Sequence, residues 1–480
     1  MTARSPLRVL FHVSLTTMLR HFEDVIVALA DRGHTVRIAS PDRHLDLPIS
    51  PTLTEHSRIQ FLHCPGRRSD DWAKPVVELR AVRDYLRYLD RRFRHATKLR
   101  SRALRKMTQA VTHGELHHLV AWCPQCKARL VDDEVGQMLR AFRKRGLRSL
   151  SSLLALVEET IPSDPTIEGF LRGEDPDVIL ITPLVRTGSS QPDYVKSARA
   201  LGLPVAFPVF SWDNLSTKGL IHVRPDRVLV WNERQRAEAV EMHGMPVERV
   251  VVTGAPRFDG FFAIRPRQSR EAFCAAHGLD PAQPIVMYLC SSKFVAREER
   301  AFVLRWIDEL RQAPALRGCN VLIRPHPREK AQWKRLEAPP RVVVSFPQAM
   351  NADESLFESL HHSAAAVGLN TSAQLEAAIV GRPVLTILAP EFAGGQQKTL
   401  HFSYLLKDEG GFVEVAADFD THRRQVAAAV SGDYDRQAIG EFVRGFLRPH
   451  GLERPATPYM VEAIESLAKL GRARLASPSS

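Results

Sequence analysis

The sequence predicts an α/β fold of two doubly wound domains, and three observations carry that expectation. Short, apolar, β-branched runs alternate with helix-compatible stretches along most of the chain. These runs are continuously apolar rather than alternating, as strands become when helices cover both faces of a parallel sheet. The chain, at 480 residues, is also longer than a single hydrophobic core usually serves.

In the first half the strand candidates are "LRVLF", "HTVRIA", "DVILIT", "PVAFPVF", "DRVLVW" and "ERVVVTG". In the second half they are "PIVMYLC", "NVLIR", "RVVVS", "AAAVGL" and "PVLTIL". The stretch from about 70 to 163 is basic and helix-compatible with no strand-like run, and reads as an insertion into the first domain. Arg and Pro accumulate in "RFDGFFAIRPRQSREAF" while periodicity fades, which places the boundary there. The expected domains are therefore 1–265 and 266–450. Residues 451–480 follow as a final helix and a polar tail, "SPSS", expected to be disordered. A cleft between two such domains is the expected ligand site, because ligands bind beyond the carboxyl ends of parallel strands.

Hydrophobic residues make up 44% and charged residues 25%, the balance of an ordinary globular protein. The formal charge of +12 implies an anionic partner. The charge gathers in "RRFRHATKLRSRALRKM" from Arg91 and "RAFRKRGLRSL" from Arg140, both with apolar residues between the cations. Two readings stay open: a surface facing an anionic bilayer, or helices whose apolar residues pack inward under a solvated cationic face. No recognisable nucleic-acid module accompanies the charge, so nucleic acid is not an expected partner. The first apolar run is too short for a secretory signal and is interrupted by His12, and no run reaches transmembrane length. The expected location is cytoplasmic, with a peripheral place on the inner face of the membrane.

The six cysteines, Cys64, Cys123, Cys126, Cys274, Cys290 and Cys319, form no disulfide framework. Cys123 and Cys126 make a lone C-x-x-C, and His113 and His117 precede it at i, i+4. Four zinc ligands or a redox pair could be read there, but no second C-x-x-C supports either, and a short loop between helices is the plainer expectation. No metal site is expected elsewhere.

The ends of three strands carry polar devices. After "MYLC" come Ser291, Ser292 and Lys293, suited to close backbone approach and to pairing with a phosphate. After "NVLI" comes "RPHPREK", where two prolines end the strand and stiffen the loop around His326, beside Arg324. After "AAAVGL" come Asn370, Thr371 and Ser372, able to cap a helix whose N-terminus attracts anions. Glu376 lies one turn beyond Ser372 and suits a two-fold hydrogen bond to a diol such as a ribose; the alternative is simple stabilisation of the helix start.

These motifs, with the following "APEFAGGQQKTLHF", resemble the nucleotide-binding half of GT-B glycosyltransferases, nearest the bacterial branch of CDP-glycerol glycerophosphotransferases and capsule-building transferases with a His-Pro motif. "FSWDNLSTKGL", "VWNERQRAEAVEMHG" and "VVVTGAPRFDGFF" resemble stretches of the same group. The resemblance covers most of both α/β domains but not the basic insertion. It implies two Rossmann-like domains facing a cleft and a nucleotide-activated donor as substrate, with no cofactor. It implies that His326 donates to the donor phosphate, that Asn370, Thr371 and Ser372 bind the diphosphate and Glu376 the ribose, and that Gln396 or Gln397 contacts the donor sugar. A polysaccharide or lipid-linked acceptor would attack from the first domain.

An inverting attack needs a base. The first domain offers Asp213 in "SWDN", His12 and His21 near the first strand end, and Glu158 and Glu159 in "EETIPSD"; Asp213 and His12 are the foremost candidates. The sequence departs from the polysialyltransferase pattern, lacking its acidic-acidic-glycine element, which argues against a sialyl donor. Two rivals remain. A non-hydrolysing UDP-GlcNAc 2-epimerase shares the fold, a His-Pro loop and a similar "LEAAIVGRPVL" helix, but carries Gly-Thr-Arg-Pro-Glu after its first strand where this chain reads "HVSLTT". A non-catalytic scaffold of envelope assembly would need no phosphate devices.

Overall fold

The continuously apolar runs are strands, and the faces they bury explain their composition. The computed structural model describes residues 5–41, 49–113, 144–347 and 351–476. The chain divides into two units, Met1–Asp259 with Phe446–Ser480, and Gly260–Gly445.

Among the described residues the first unit holds seven strands: β1 Arg8–Val13, β2 Thr35–Ser40, β3 Ile59–His63, β4 Val178–Thr182, β5 Val205–Pro208, β6 Arg227–Val230 and β7 Val250–Val252. They form one sheet in the order β3-β2-β1-β4-β5-β6-β7, parallel throughout. Val9, Phe11 and Val13 of β1 point into one core with the helix Glu23–Asp31, while Leu10 points into a second core with the helix Gln191–Ala200. Both faces are dry, so no position in the strand interior favours a polar side chain.

The second unit holds β8 Ile285–Leu289, β9 Asn320–Arg324, β10 Val342–Val344, β11 Ala365–Gly368, β12 Val384–Ile387 and β13 Glu414–Ala416. Their order is β10-β9-β8-β11-β12-β13, again all parallel. Of the thirteen strands among the described residues, eleven lie where the apolar runs predicted them. The two missed, β3 and β13, lie at sheet edges and read "IQFLH" and "EVA", with no continuous apolar run; the other two edge strands, β7 and β10, read "VVV" and were found.

The final helix, Ala456–Ala476, belongs to the first unit, an assignment the sequence reading did not make. Met460, Val461, Ile464, Leu467 and Ala468 recur at helical spacing and enter the β1 core. Its Glu465 accepts from His34 Nε2 at 3.1 Å, and His34 Nδ1 accepts from the Leu7 N–H at 3.1 Å. The tail at 477–480 lies outside the described residues.

The described part of the insertion is helical: Ala73–Arg87, Thr97–His113 and Lys144–Thr160. Of the two readings of its charge, packing decides for the inward one over 91–107: Phe93, Leu99, Leu104 and Met107 are buried while Arg91, Arg92, Arg94, Lys98, Arg105 and Lys106 are exposed. Other cations are structural. Arg80, 4% exposed, donates to Glu158 Oε1 at 2.9 Å and to Asp193 Oδ1 at 2.8 Å. Arg68 joins Asp193 at 3.4 Å and Lys196 joins Glu158 at 3.7 Å. Cys123, Cys126, His117 and the side chain of His113 lie outside the described residues; the other four cysteines are buried free thiols.

Candidate functional site

In an open parallel sheet the ligand crevice forms where strand order reverses, at the carboxyl edge. In the second unit that point lies between β8 and β11, with β9 beside β8. The three strand ends singled out in the sequence are therefore three neighbours, β9-β8-β11, and their loops emerge at the switch point.

The loop after β9 carries His326. Its Nδ1 accepts the backbone N–H of Arg328 at 3.2 Å, and the N–H of Glu329 donates to the His326 carbonyl at 2.8 Å. An acceptor Nδ1 leaves the proton of the neutral ring on Nε2, the form that can donate to an oxyanion. Lys293, on the loop after β8, lies 3.6 Å from the Glu329 carboxylate, so the two loops touch. The Lys293 side chain is 68% exposed, and such a pair contributes little to stability. Ser292 is half-buried, and its carbonyl accepts from the N–H groups of Val295 and Ala296 in a tight turn.

After β11, Thr371 is half-buried and Ser372 exposed at the start of the helix Ala373–Ile379. The expected cap differs in detail. Ser372 makes no side-chain cap; Gln374 takes that task, its Oε1 accepting from the Thr371 N–H at 3.2 Å and its Nε2 donating to the Gly368 carbonyl at 3.2 Å. Glu376, one turn further on, is buried where Ser372 is exposed.

Four expected ligands are instead supports. Ser291 is fully buried, and its N–H donates to Glu299 Oε2 at 2.7 Å. Arg324 is buried and donates to the hydroxyls of Ser345 at 3.2 Å and Ser355 at 2.9 Å and to the Ala352 carbonyl at 3.3 Å. Those bonds remove its guanidinium from direct contact with a phosphate, and burial pushes its pKa down to about 10. Asn370 donates to the Gly395 carbonyl at 2.7 Å. Gln396 is fully buried: its Nε2 donates to the Leu369 and Ile387 carbonyls at 3.0 and 3.1 Å, and its Oε1 accepts from the Ala389 N–H at 3.2 Å. A side chain so committed has nothing left for a sugar, whereas Gln397 is exposed.

Glu299 escaped sequence reasoning. It is buried beneath the β8 loop, accepting from the Ser291 N–H and, at 3.1 Å, from Tyr288 Oη. Burial outweighs those donors and pushes its pKa up to about 7. Nothing in "REERAF" separates it from Glu298 before the fold buries one of the two.

The base candidates of the first unit fare differently. His12, at the end of β1, is 1% exposed, and desolvation pushes its pKa down to about 4. Gln191 Nε2 lies 3.0 Å from its Nδ1 and donates to the Thr182 carbonyl at 2.6 Å, which fixes the amide's orientation. Nδ1 is thereby an acceptor and Nε2 holds the ring proton, so the geometry corrects the expectation of a ready base at His12. Asp213 accepts from Ser211 Oγ at 2.7 Å, Thr217 Oγ1 at 2.8 Å and Lys218 Nζ at 3.2 Å. With its oxygens so occupied it anchors the loop after β5. His21 is held well below its ordinary pKa by burial and by Arg20 and Arg257. Glu158 is spent on Arg80, and Glu159 pairs with Arg199 at 2.8 Å.

Among the described residues, no group of three His, Cys, Asp or Glu gathers as a metal site. No helix there is long and apolar enough to cross a membrane.

No protein-family model and no curated protein sequence matches the chain. Solved structures do match over nearly its full length. A glycosyltransferase from Rickettsia africae ESF-5 superposes with a TM-score of 0.51 at 10% identity, covering 97% of this chain and 100% of its own. A protein from Listeria monocytogenes assigned as a UDP-N-acetylglucosamine 2-epimerase gives 0.52 at 10% identity, covering 96% of each chain. The UDP-GlcNAc 2-epimerase of Neisseria meningitidis, solved with UDP-GlcNAc bound, gives 0.50 at 13% identity over 96% of this chain and 100% of its own. At such identities the likeness defines the fold: two Rossmann-like α/β domains of the GT-B kind.

Proposed function

We propose that the protein is a GT-B glycosyltransferase, or a glycerophosphate-type transferase, which moves a group from a nucleotide-activated donor to an acceptor hydroxyl in bacterial surface polysaccharide or glycolipid synthesis. The observation that carries the reading is the convergence of the β9, β8 and β11 loops at the switch point of the second unit, with Ser292, Lys293, His326, Thr371 and Ser372 on them. A transferred glycosyl group leaves behind a nucleoside diphosphate, and a transferred glycerophosphate a nucleoside monophosphate, whose charge must be met by preorganised donors and cations. His326 with its proton on Nε2 and the Lys293 ammonium supply both kinds. Arg324 acts through its field from beneath the loop, Glu376 is the proposed ribose partner, and Gln397 rather than Gln396 is the residue for the donor sugar. For a glycosyl donor the acceptor oxygen bonds to the transferred carbon as the carbon–phosphate oxygen bond breaks; for a glycerophosphate donor it bonds to the transferred phosphorus as the bridging phosphorus–oxygen bond breaks. The nucleotide departs with the electron pair, and the acceptor proton passes to solvent or to the leaving phosphate. The reading calls on no metal.

The CDP-glycerol and capsule branch is favoured by the "RPHP" loop together with the "NTSAQLEAAIVGRPVL" helix. Peripheral contact with an anionic membrane is supported by Leu153, Leu156 and Val157, which are 57%, 64% and 41% exposed on the helix Lys144–Thr160. The epimerase reading is favoured by the likeness to the Neisseria and Listeria structures. It is opposed by "HVSLTT" after β1 and by the buried, inert setting of His12.

The test is a thermal-shift titration with UDP, CDP, CMP, GDP and TDP, repeated on His326→Ala and Glu376→Ala. A shift with one nucleotide that both substitutions weaken supports the donor site and names its base. No shift with any nucleotide, in a folded protein, sinks the reading. Incubation with UDP-GlcNAc alone separates the rival: an epimerase forms the 2-epimer without an acceptor.

A further inference from the structure

The first unit also has a switch point, between β1 and β4. The segments that leave β4 and β5 run side by side there, because the Gly219 N–H donates to the Val185 carbonyl at 2.7 Å. That bond sets Arg186 and Lys218 on adjacent turns of chain. Arg186 Nη1 reaches Ser14 Oγ, just past β1, at 3.4 Å. From the insertion, Arg102 donates to the Thr217 carbonyl, and Lys106 follows one turn later on the same helix. Four cations from three segments therefore gather at the carboxyl edge of the sheet. Arg87 lies buried beside them, its guanidinium bonded to the carbonyls of Leu215, Lys218 and Gly219.

The carboxylates facing this group are fewer, and one oxygen of Asp84 is buried with no hydrogen-bond partner among the described residues. Asp213 binds Lys218. Asp84 accepts from the Leu220 N–H at 2.7 Å and lies 3.1 Å from His222 Nε2. Glu238 faces Arg87. The cations feel one another: partial burial, then Arg102, Arg186 and Lys218, lower the pKa of Lys106 against the opposing effect of Asp84. Like charges held together at a sheet edge that is built to receive ligands call for an anion. Arg186 and Lys106 are exposed, and the Lys218 side chain is 36% exposed, so the group is reachable from solvent. Guanidinium and ammonium groups close enough to feel one another suit an oxyanion with several acceptor oxygens.

We propose that Arg102, Lys106, Arg186 and Lys218 form an oxyanion site in the first unit that takes a phosphate group carried by the acceptor. Calling the ligand an acceptor rests on the transferase reading; the site itself does not. The phosphate belongs either to a lipid carrier or to a phosphorylated sugar, and the chemistry recognised is the same.

Binding to the full-length protein is measured with four probes: a hexose 1-phosphate, the free hexose, a short-chain prenyl phosphate and its alcohol. The double variant Lys106→Gln/Arg186→Gln removes the two exposed charges and leaves the structural bonds of Arg102 and Lys218. The expected result is that one or both phosphorylated probes bind, that neither unphosphorylated probe does, and that the double variant binds at least tenfold more weakly. Prenyl phosphate alone assigns a lipid carrier; both together assign recognition of the phosphate whatever bears it. Failure of both phosphorylated probes to bind the wild type, or equal binding by the double variant, overturns the site. The nucleotide response of the second unit is read in the same samples and is expected to be unchanged, so loss of the donor reading and loss of this one are told apart.

Discussion

The N–H of Arg328 donates to Nδ1 of His326 at 3.2 Å across the proline-bounded turn. A backbone bond of this kind chooses the tautomer of the ring, and here it places the proton on Nε2. The expected consequence is that His326→Ala weakens nucleotide binding by roughly tenfold or more, the worth of one hydrogen bond to a charged group. His326→Gln, which keeps an N–H donor, restores part of the loss. Calorimetric titration of the three proteins with the responding nucleotide measures both effects.

Glu299 makes a prediction about pH. Its folded pKa, about 7, lies above the ordinary value of 4.5. The folded state therefore holds a proton between those values that the unfolded state has lost, so stability falls as pH rises from about 4.5 through 7 and then levels. A shift of this size corresponds to about 3 kcal/mol at most. Urea denaturation at pH 5 and pH 8 should show the decline, and Glu299→Gln should flatten it. An unchanged slope in the variant would assign the pH dependence to other groups.

His12 behaves in the opposite sense. With its folded pKa near 4, below the ordinary 6.5, it contributes stability above pH 6.5 that is lost as pH falls toward 4. Its ring resonances should stay constant from pH 8 to pH 5. A midpoint near 6.5 would mean the ring is solvated, and would return it to the list of bases.

Arg80 lies between two buried carboxylates, Glu158 and Asp193. Arg80→Ala leaves both uncompensated and should destabilise the first unit by about 3–5 kcal/mol. Arg80→Ala with Glu158→Gln should lose less than the single change. Denaturation midpoints of the two variants decide it.

Gly395 touches the β8 loop so closely that a Cβ there would come within 2.5 Å of Val295 Cα and 2.7 Å of its carbonyl oxygen. Backbone cannot yield cheaply, so Gly395→Ala should shift the 291–296 loop and weaken nucleotide binding without touching a proposed ligand. Equal affinity in this variant would separate the loop from the site.

The parts of the fold that were legible share a cause: a strand covered on both faces admits only apolar residues, so β1 or β8 announces itself over a few positions. β3 and β13, edge strands with polar residues among their apolar ones, stayed hidden, whereas the edge strands β7 and β10 show themselves through "VVV". The candidate site was legible to the level of loops. "SSKF", "RPHP" and "NTS" were each readable as strand-end devices, and sheet order made them neighbours. Which member of each loop faces outward was not readable. Ser291, Arg324, Asn370 and Gln396 are of residue types that can bind a phosphate or a sugar, and only their burial and their hydrogen bonds within the protein mark them as supports.

By itself, then, the order of residues determined the alternation of strand and helix, the division in two and the chemical character of each strand end, because these follow from local periodicity and from what a proline or a buried face excludes. Tertiary structure decided the tautomer of His326, the inertness of His12, the proton on Glu299 and the gathering of Arg102, Lys106, Arg186 and Lys218. Each of those depends on groups far apart in the chain, whose desolvation and mutual field exist only once the sheets have formed.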